Sequence, residues 1–378
     1  MARVTLRNIS KEYDGISAVR DLSLEIKDGE FLAIMGPPGS GKTSTLKMIA
    51  GIESPSSGEI FFDDKPMERI APNRRNVAMV FETYALYPHL SVFDNIAFPL
   101  RSARRGVRYS NEEINKRVRD IADLLEISML LEKKPAHLSG GQRQRVGLGR
   151  ALVRNPVVSL FDEPIAHLDA RLRYRLMGDL KRIQIERKAT ILYATPDYFE
   201  AIAIADRVVA LFGGEMKQIG TPMEIIKHPA SAEVARFVGD PPTNLLLARV
   251  VRHDDRLWFK VFENDILVPN KTREALDKAN FENGVLIGVR PSDILVSRAE
   301  MEAPAFPTKL YVAEYFHRKT VLTLSIGAKR IRASTTPDFG GRVGERIWVR
   351  FPPDKIFAFD PNTLLVLPAS DQPVHRET

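Results

Sequence analysis

The chain has 378 residues and no cysteine; 44% are hydrophobic and 27% charged, and 55 Lys plus Arg stand against 48 Asp plus Glu, a formal net charge of +7. That balance excludes a disordered or fibrous protein, and the missing cysteines exclude a disulfide framework and thiolate metal sites, as suits a reducing compartment. No apolar run approaches the roughly 20 residues that cross a bilayer, and Met1 to Leu6 enters a strand-like pattern without the apolar stretch of a secretion signal.

In chain order, Phe31-Leu32-Ala33-Ile34-Met35 is a short apolar run ending at a glycine, which predicts a buried strand. Lys42 to Ala50 follows as a helix stopped by Gly51. From about Asn95 to Leu131 helix formers and charged residues predominate, which predicts a helical insertion. Val157 to Phe161 and Thr190 to Ala194 are two further buried strands. Strands interleaved with helices predict an α/β fold with a mainly parallel sheet, its ligands at the carboxyl ends of the strands. Gly239-Asp240-Pro241-Pro242-Thr243-Asn244 reads as a linker. Beyond it come short β-rich runs separated by turns: Leu245 to Val251, Leu257 to Phe262, Val285 to Val289, Thr320 to Leu324 and Arg346 to Phe351. These predict a small barrel-like all-β domain. There is no internal repeat.

Gly36-Pro37-Pro38-Gly39-Ser40-Gly41-Lys42-Thr43-Ser44 joins a predicted strand to a predicted helix, the context in which this spacing forms a phosphate-binding loop. The glycines let successive N–H groups converge on phosphate oxygens, and the helix start adds its positive end. Lys42 is placed to reach the terminal phosphates of ATP, and Thr43 to ligate Mg²⁺. Pro38 removes a hydroxyl and an N–H where serine is common. Asp162-Glu163 ends the second buried strand. Asp162 is expected to hold Mg²⁺ through water and Glu163 to orient the attacking water. Tyr13, in the turn after the first strand, is a candidate to stack on adenine, with core packing as the other reading.

Leu138-Ser139-Gly140-Gly141-Gln142 opens a helix. A capping box accounts for Ser139 and Gln142 but not for two adjacent glycines, which suit close approach of an anion to the helix tip. The basic residues Arg101, Arg104, Arg105, Arg108, Lys116, Arg117 and Arg119 read as a solvated face, or as a surface near lipid headgroups.

Gly36 to Thr43, Leu138 to Gln142 and Leu160 to Pro164, continuing through Leu168-Asp169-Ala170, together resemble the ATP-binding-cassette (ABC) ATPases. Tyr84-Ala85-Leu86-Tyr87-Pro88-His89, Gly220-Thr221-Pro222, Val238 to Pro242 and Gly288-Val289-Arg290-Pro291 narrow the resemblance to carbohydrate and glycerol-phosphate importers. The resemblance implies a P-loop cassette over residues 1–238, with a helical subdomain at about 88–155, and an OB-like regulatory β domain over 239–378. It implies two such ATPase subunits closing on two ATPs, each phosphate loop facing the partner's signature segment. Two membrane permease subunits and a substrate-binding protein complete the implied assembly, at the cytoplasmic face of the membrane. The stretch Tyr84 to His89 would lie near the groove that receives a permease helix.

The sequence departs from the family at two places. Glu82 stands where a glutamine senses Mg²⁺ and the γ-phosphate; a carboxylate can ligate the metal but cannot donate an amide N–H. Pro196 stands where the family carries a switch histidine, and has neither an imidazole nor an N–H. His167 is a substitute candidate. An intact signature beside a compromised site favours a heterodimer, in which this chain completes the site of a second, intact ATPase. The rival readings are a non-hydrolysing regulatory subunit and a nucleic-acid-associated ATPase. The second rests only on charge and lacks the tandem units or coiled-coil insertions such proteins carry, so no nucleic-acid partner is expected.

Overall fold

The computed structural model describes residues 2–81, 83–101, 108–253, 256–278 and 284–367. Two compact units divide it, Met1–Met223 and Glu224–Thr378.

The first unit opens with two long strands, β1 (Val4–Tyr13) and β2 (Ile16–Ile26), then β3 (Phe31–Met35), α1 (Lys42–Ala50), β4 (Ser57–Phe62), β5 (Lys65–Pro66) and β6 (Val77–Val80). Three helices follow, α2 (Val92–Arg101), α3 (Asn111–Leu124) and α4 (Gly140–Leu152). The unit closes with β7 (Val158–Asp162), α5 (Ala170–Arg187), β8 (Ile191–Thr195), α6 (Tyr198–Ile204), β9 (Arg207–Phe212) and β10 (Glu215–Gly220). The central sheet has the order β10-β9-β3-β8-β7-β6 and is parallel except for β10. All residues of β3, β7 and β8 are buried, as unbroken apolar runs in a parallel sheet covered on both faces must be. Phe31, Phe161 and Tyr193 are among its largest fully buried side chains, each contributing on the order of 2 kcal/mol by burial.

The strand predicted over Phe31 to Met35 is found there, and the other two each begin one residue later than the apolar pattern suggests. Asp162 pairs with Ala194 in the ladder, so the polar residue that ends the apolar run is still strand. An antiparallel sheet, β2-β1-β4-β5, packs its apolar side with α1 against the central sheet; the period-2 pattern of Val4, Leu6, Leu22 and Leu24 was its signal. Tyr13 is the last residue of β1, paired with Ile16, and not a turn residue.

The helical insertion is present, as α2 to α4. α3 opens with a capping box between Ser110 and Glu113 and buries Ile114, Val118, Ile121 and Ala122, a single helical stripe. Gly149 of α4 lies where a Cβ would stand 3.1–3.3 Å from Leu125, Ile121 and Ile96. That close helix packing explains a glycine inside a helix, at a propensity cost of about 1 kcal/mol. Of the basic cluster, Arg104 and Arg105 lie outside the described residues, as does Glu82.

The second unit begins with two short helices, α7 (Pro222–Lys227, which straddles the division) and α8 (Ala232–Phe237), then β11 (Asn244–His253), β12 (Arg256–Val261), β13 (Asn264–Leu267) and α9 (Asn270–Lys278). It continues with β14 (Val285–Val289), β15 (Leu295–Ser297), β16 (Phe306–Tyr315), β17 (Thr320–Ile326), β18 (Lys329–Thr335), β19 (Arg346–Arg350) and β20 (Phe357–Phe359). Two five-stranded antiparallel sheets, β13-β12-β11-β14-β20 and β15-β19-β16-β17-β18, enclose one apolar core. The region is thus mainly β, as the turn-separated runs predict, with α9 as an unforeseen helix. The start of α8 is fastened to residues 364–366: Ala232 N donates to Leu364 O at 2.8 Å and Val366 N to Ala230 O at 2.9 Å.

Arg75 supports α1 from its carboxyl end. Its guanidinium donates to Met48 O, Ile49 O, Met67 O and Ile70 O at 2.8–2.9 Å, complementing the negative end of the helix. Gly51, in the left-handed region at φ 76°, leaves the room; a Cβ there would lie 2.4 Å from Arg75. Arg75→Met deprives these carbonyls of their donor and is expected to lower unfolding stability by about 3 kcal/mol, read as a shift of the urea midpoint.

Candidate functional site

The phosphate loop runs from the end of β3 to the first turn of α1. Gly36 is required sterically, since a Cβ would meet Leu211 O at 2.0 Å. Gly41 caps α1 at φ 98°, and its Cβ would meet Ala18 O at 2.4 Å. The buried Lys42 curls back into the loop and donates from Nζ to Gly36 O at 2.9 Å and Pro37 O at 3.0 Å. Ser40 Oγ is buried with no hydrogen-bond partner among the described residues, an orphan that a phosphate oxygen would satisfy. Gly39, at φ 78°, has open space above it. Ser44 Oγ accepts from Tyr13 Oη at 3.3 Å, and Tyr13 also bonds Glu53. Tyr13 is 38% exposed, with Lys11 Nζ 4.9 Å from its ring centroid; these contacts hold it beside the amino end of α1.

Thr43 Oγ1 donates to Asp162 Oδ1 at 3.0 Å, joining α1 to the end of β7. A hydroxyl and a buried carboxylate at the mouth of a phosphate loop fit a Mg²⁺ shared with bound phosphates. Among the described residues no three His, Asp or Glu groups converge to hold a metal by themselves. Glu163 takes a left-handed backbone, φ 48°, and its N–H donates to Ala194 O at 2.9 Å on β8. Strain of this kind in a non-glycine residue is characteristic of functional sites.

Ser139 caps α4 with a complete capping box: Gln142 N donates to Ser139 Oγ at 3.3 Å, and Ser139 N to Gln142 Oε1 at 2.9 Å. A Cβ on Gly140 would touch nothing within 4 Å. Its lack of a side chain therefore serves no packing within the described chain. Gly141 approaches His167 O, 3.3 Å from its would-be Cβ.

Gln144, one turn into α4, escaped the sequence analysis. It is buried, donates from Nε2 to Glu163 O at 3.2 Å, and accepts from His167 N at 3.2 Å. Its signal was a polar residue on the helix face of Gly147 and Leu148. His167, for its part, has Nδ1 3.1 Å from Tyr84 Oη and stands edge-on to that ring, so it is engaged inside its own subunit. Arg173 of α5 holds the same turn, donating to Ala166 O at 3.1 Å and Leu168 O at 3.2 Å.

Pro196 follows β8 and leads into α6, whose cap is Asp197. Below it lies a buried cluster. Tyr193 Oη and Thr195 Oγ1 both donate to Glu200 Oε2 at 2.8 Å, while Arg173 Nε stands 3.9 Å from Glu200 Oε1. Desolvation pushes the Glu200 carboxyl above the usual carboxylate range, against the pull of the two hydroxyl bonds.

Comparison with known proteins accords with this geometry. A family profile described as ABC transporter matches residues 19–166. The trehalose/maltose import ATP-binding protein of Thermococcus litoralis is 39% identical over 373 residues, covering 96% of this chain and 99% of that protein. This chain belongs to the ABC transporter ATPases. The xylose/arabinose import ATP-binding protein of Haloferax volcanii is 37% identical and covers 100% and 98%. The sn-glycerol-3-phosphate import ATP-binding protein of Ralstonia nicotianae is 49% identical over 246 residues, 65% of this chain and 66% of that one. Among solved structures, a dimeric bacterial ABC transporter cassette superposes on 58% of this chain and 98% of its own, with TM-score 0.55 and 33% identity. No helix among the described residues of this ABC ATPase is long and apolar enough to cross a membrane.

The raised Glu200 carboxyl gives a signed expectation. A folded-state value above the unfolded one means stability is full at low pH and falls as pH rises through the folded value. Glu200→Gln keeps an acceptor for both hydroxyls without the charge. Its stability relative to the parent is expected to increase from pH 4 to pH 7.5 in denaturant titrations.

Proposed function

We propose that this chain is the ATP-binding and ATP-hydrolysing subunit of an importer for a sugar, polyol or glycerol phosphate, peripheral to the membrane and docked on two permease subunits served by a substrate-binding protein. The observation that carries the reading is the pairing of Thr43 with Asp162 beside the Lys42 loop. The names of two full-length relatives, the trehalose/maltose and xylose/arabinose import ATP-binding proteins, support the solute class. Residues 1–238 form the ATPase cassette in this reading and 239–378 the regulatory β domain.

The chemistry follows from the residues. The N–H groups from Gly39 to Ser44, with Lys42 Nζ, bind the phosphates of ATP electrostatically. Thr43 and Asp162 would hold Mg²⁺, which supplies charge neutralisation to the transferring phosphoryl group when bound. Glu163 orients the attacking water and accepts its proton; the bond to Ala194 O and the Gln144 contact fix the backbone from which its carboxylate projects. Tyr13 stacks on the adenine. Ser139 to Gln142 present the tip of α4 to the nucleotide of a second cassette, and the open space over Gly140 supports that.

Pro196 favours a second, asymmetric reading. With no imidazole at the β8–α6 turn, and with Glu82 in place of glutamine, this chain's own site hydrolyses slowly while its signature segment completes the site of a distinct, intact ATPase. The dimeric cassette among the solved relatives makes a pair of identical copies the alternative.

Three variants test this on the purified chain with MgATP. Lys42→Ala is expected to abolish ATP binding. Glu163→Gln is expected to retain binding and lower turnover by about 10²-fold or more. Pro196→His is expected to raise turnover at least tenfold if the site is impaired; brisk parental turnover, unchanged by Pro196→His, overturns the asymmetric reading and leaves the ATPase assignment intact.

A further inference from the structure

The loop that follows residue 82 has a shape its own sequence does not favour. Tyr84 and Ala85 are consecutive non-glycine residues in the left-handed region, with φ 63° and 44°. That region crowds the Cβ of an L residue, and a left-handed pair persists only where the surroundings hold it.

What holds it is α4. Arg150 donates from Nη1 to Ala85 O at 2.6 Å and from Nη2 to Tyr84 O at 3.1 Å, so one guanidinium fork grips both carbonyls of the strained pair. The ring of Tyr87 covers the same guanidinium, with 5.4 Å from its carbon to the ring centroid. Burial draws the guanidinium below its usual range, as befits a desolvated contact. One turn earlier, Gly147 gives the loop its clearance, since a Cβ there would lie 3.3 Å from Tyr84 O. The rest of the loop is fixed from α2: the buried Asn95 accepts from Tyr87 N at 2.9 Å and donates to Tyr87 O, Leu90 O and Ser91 O.

We infer that Arg150 is a positioning residue: it holds the 84–85 turn in its left-handed conformation, so that the loop over 84–91 moves with α4, the helix whose tip carries Ser139 to Gln142. The bidentate geometry is what a lysine cannot reproduce. The inference rests on the proposed reading of that tip as nucleotide-facing only for its effect on turnover; the clamp itself stands on the contacts above.

The test uses the full chain with Arg150→Met and Arg150→Lys, both of which keep an aliphatic stem. Hydrogen exchange at the Tyr84, Ala85 and Tyr87 amides is expected to rise fivefold or more in each. Exchange along Gly140 to Leu152 should change less than twofold, and the KM for MgATP should stay within twofold while kcat falls about tenfold. Unchanged exchange at 84–87, or an equal rise along α4, overturns the inference. So does an Arg150→Lys variant indistinguishable from the parent, since it reduces the role to charge alone. Where parental turnover is too slow to compare, exchange decides. A parent that fails to bind MgATP overturns the proposed function without touching the exchange result.

Discussion

The hydrogen bond from Thr43 to Asp162 is the constraint around which the candidate site is built. It spans the gap between the first turn of α1 and the last residue of β7, two elements distant in sequence. It can form only because β3, β8 and β7 lie side by side and parallel, so that their carboxyl ends share one edge. A parallel sheet buried on both faces has no other place to put polar chemistry. The consequence is local strain: Glu163 must turn at once into the left-handed region so that its N–H can reach Ala194 O.

A second layer of contacts surrounds that edge, and it consists of main-chain carbonyls gripped by side chains from neighbouring helices. Gln144 takes Glu163 O, Arg173 takes Ala166 O and Leu168 O, and Arg150 takes Tyr84 O and Ala85 O. Loops carry many backbone groups that no regular ladder satisfies, and desolvated side-chain donors fix them more rigidly than exposed ion pairs would.

This division also explains what was legible in the sequence. The phosphate loop, the Asp-Glu strand end and the capping box of α4 are local patterns, in which glycine spacing or a residue three positions away decides the geometry. The buried strands were legible within one residue, because unbroken apolar runs mark them. The reason for Gly147 and Gly149 inside α4, the backbone of Tyr84 and the side chains of Ile96, Ile121 and Leu125, lies far off in sequence. Gln144, Arg150, Arg173 and Glu200 could not be read as positioning groups, because each works through a partner in another element. Tyr13 was assigned to a turn because strand ends blur where a hairpin has only two intervening residues.

The bonds from Ala232 N to Leu364 O and from Val366 N to Ala230 O bear on how the polypeptide acquires its structure during synthesis. Every strand of the first unit lies before residue 221, so that unit has all its partners while later codons are still being translated. The second unit is different. Its opening segment, at Ala230 and Ala232, cannot make these bonds until Leu364 and Val366 have been made. A nascent chain of this kind passes through an interval with a finished head and an unsealed tail, and in that interval chaperones have most to do.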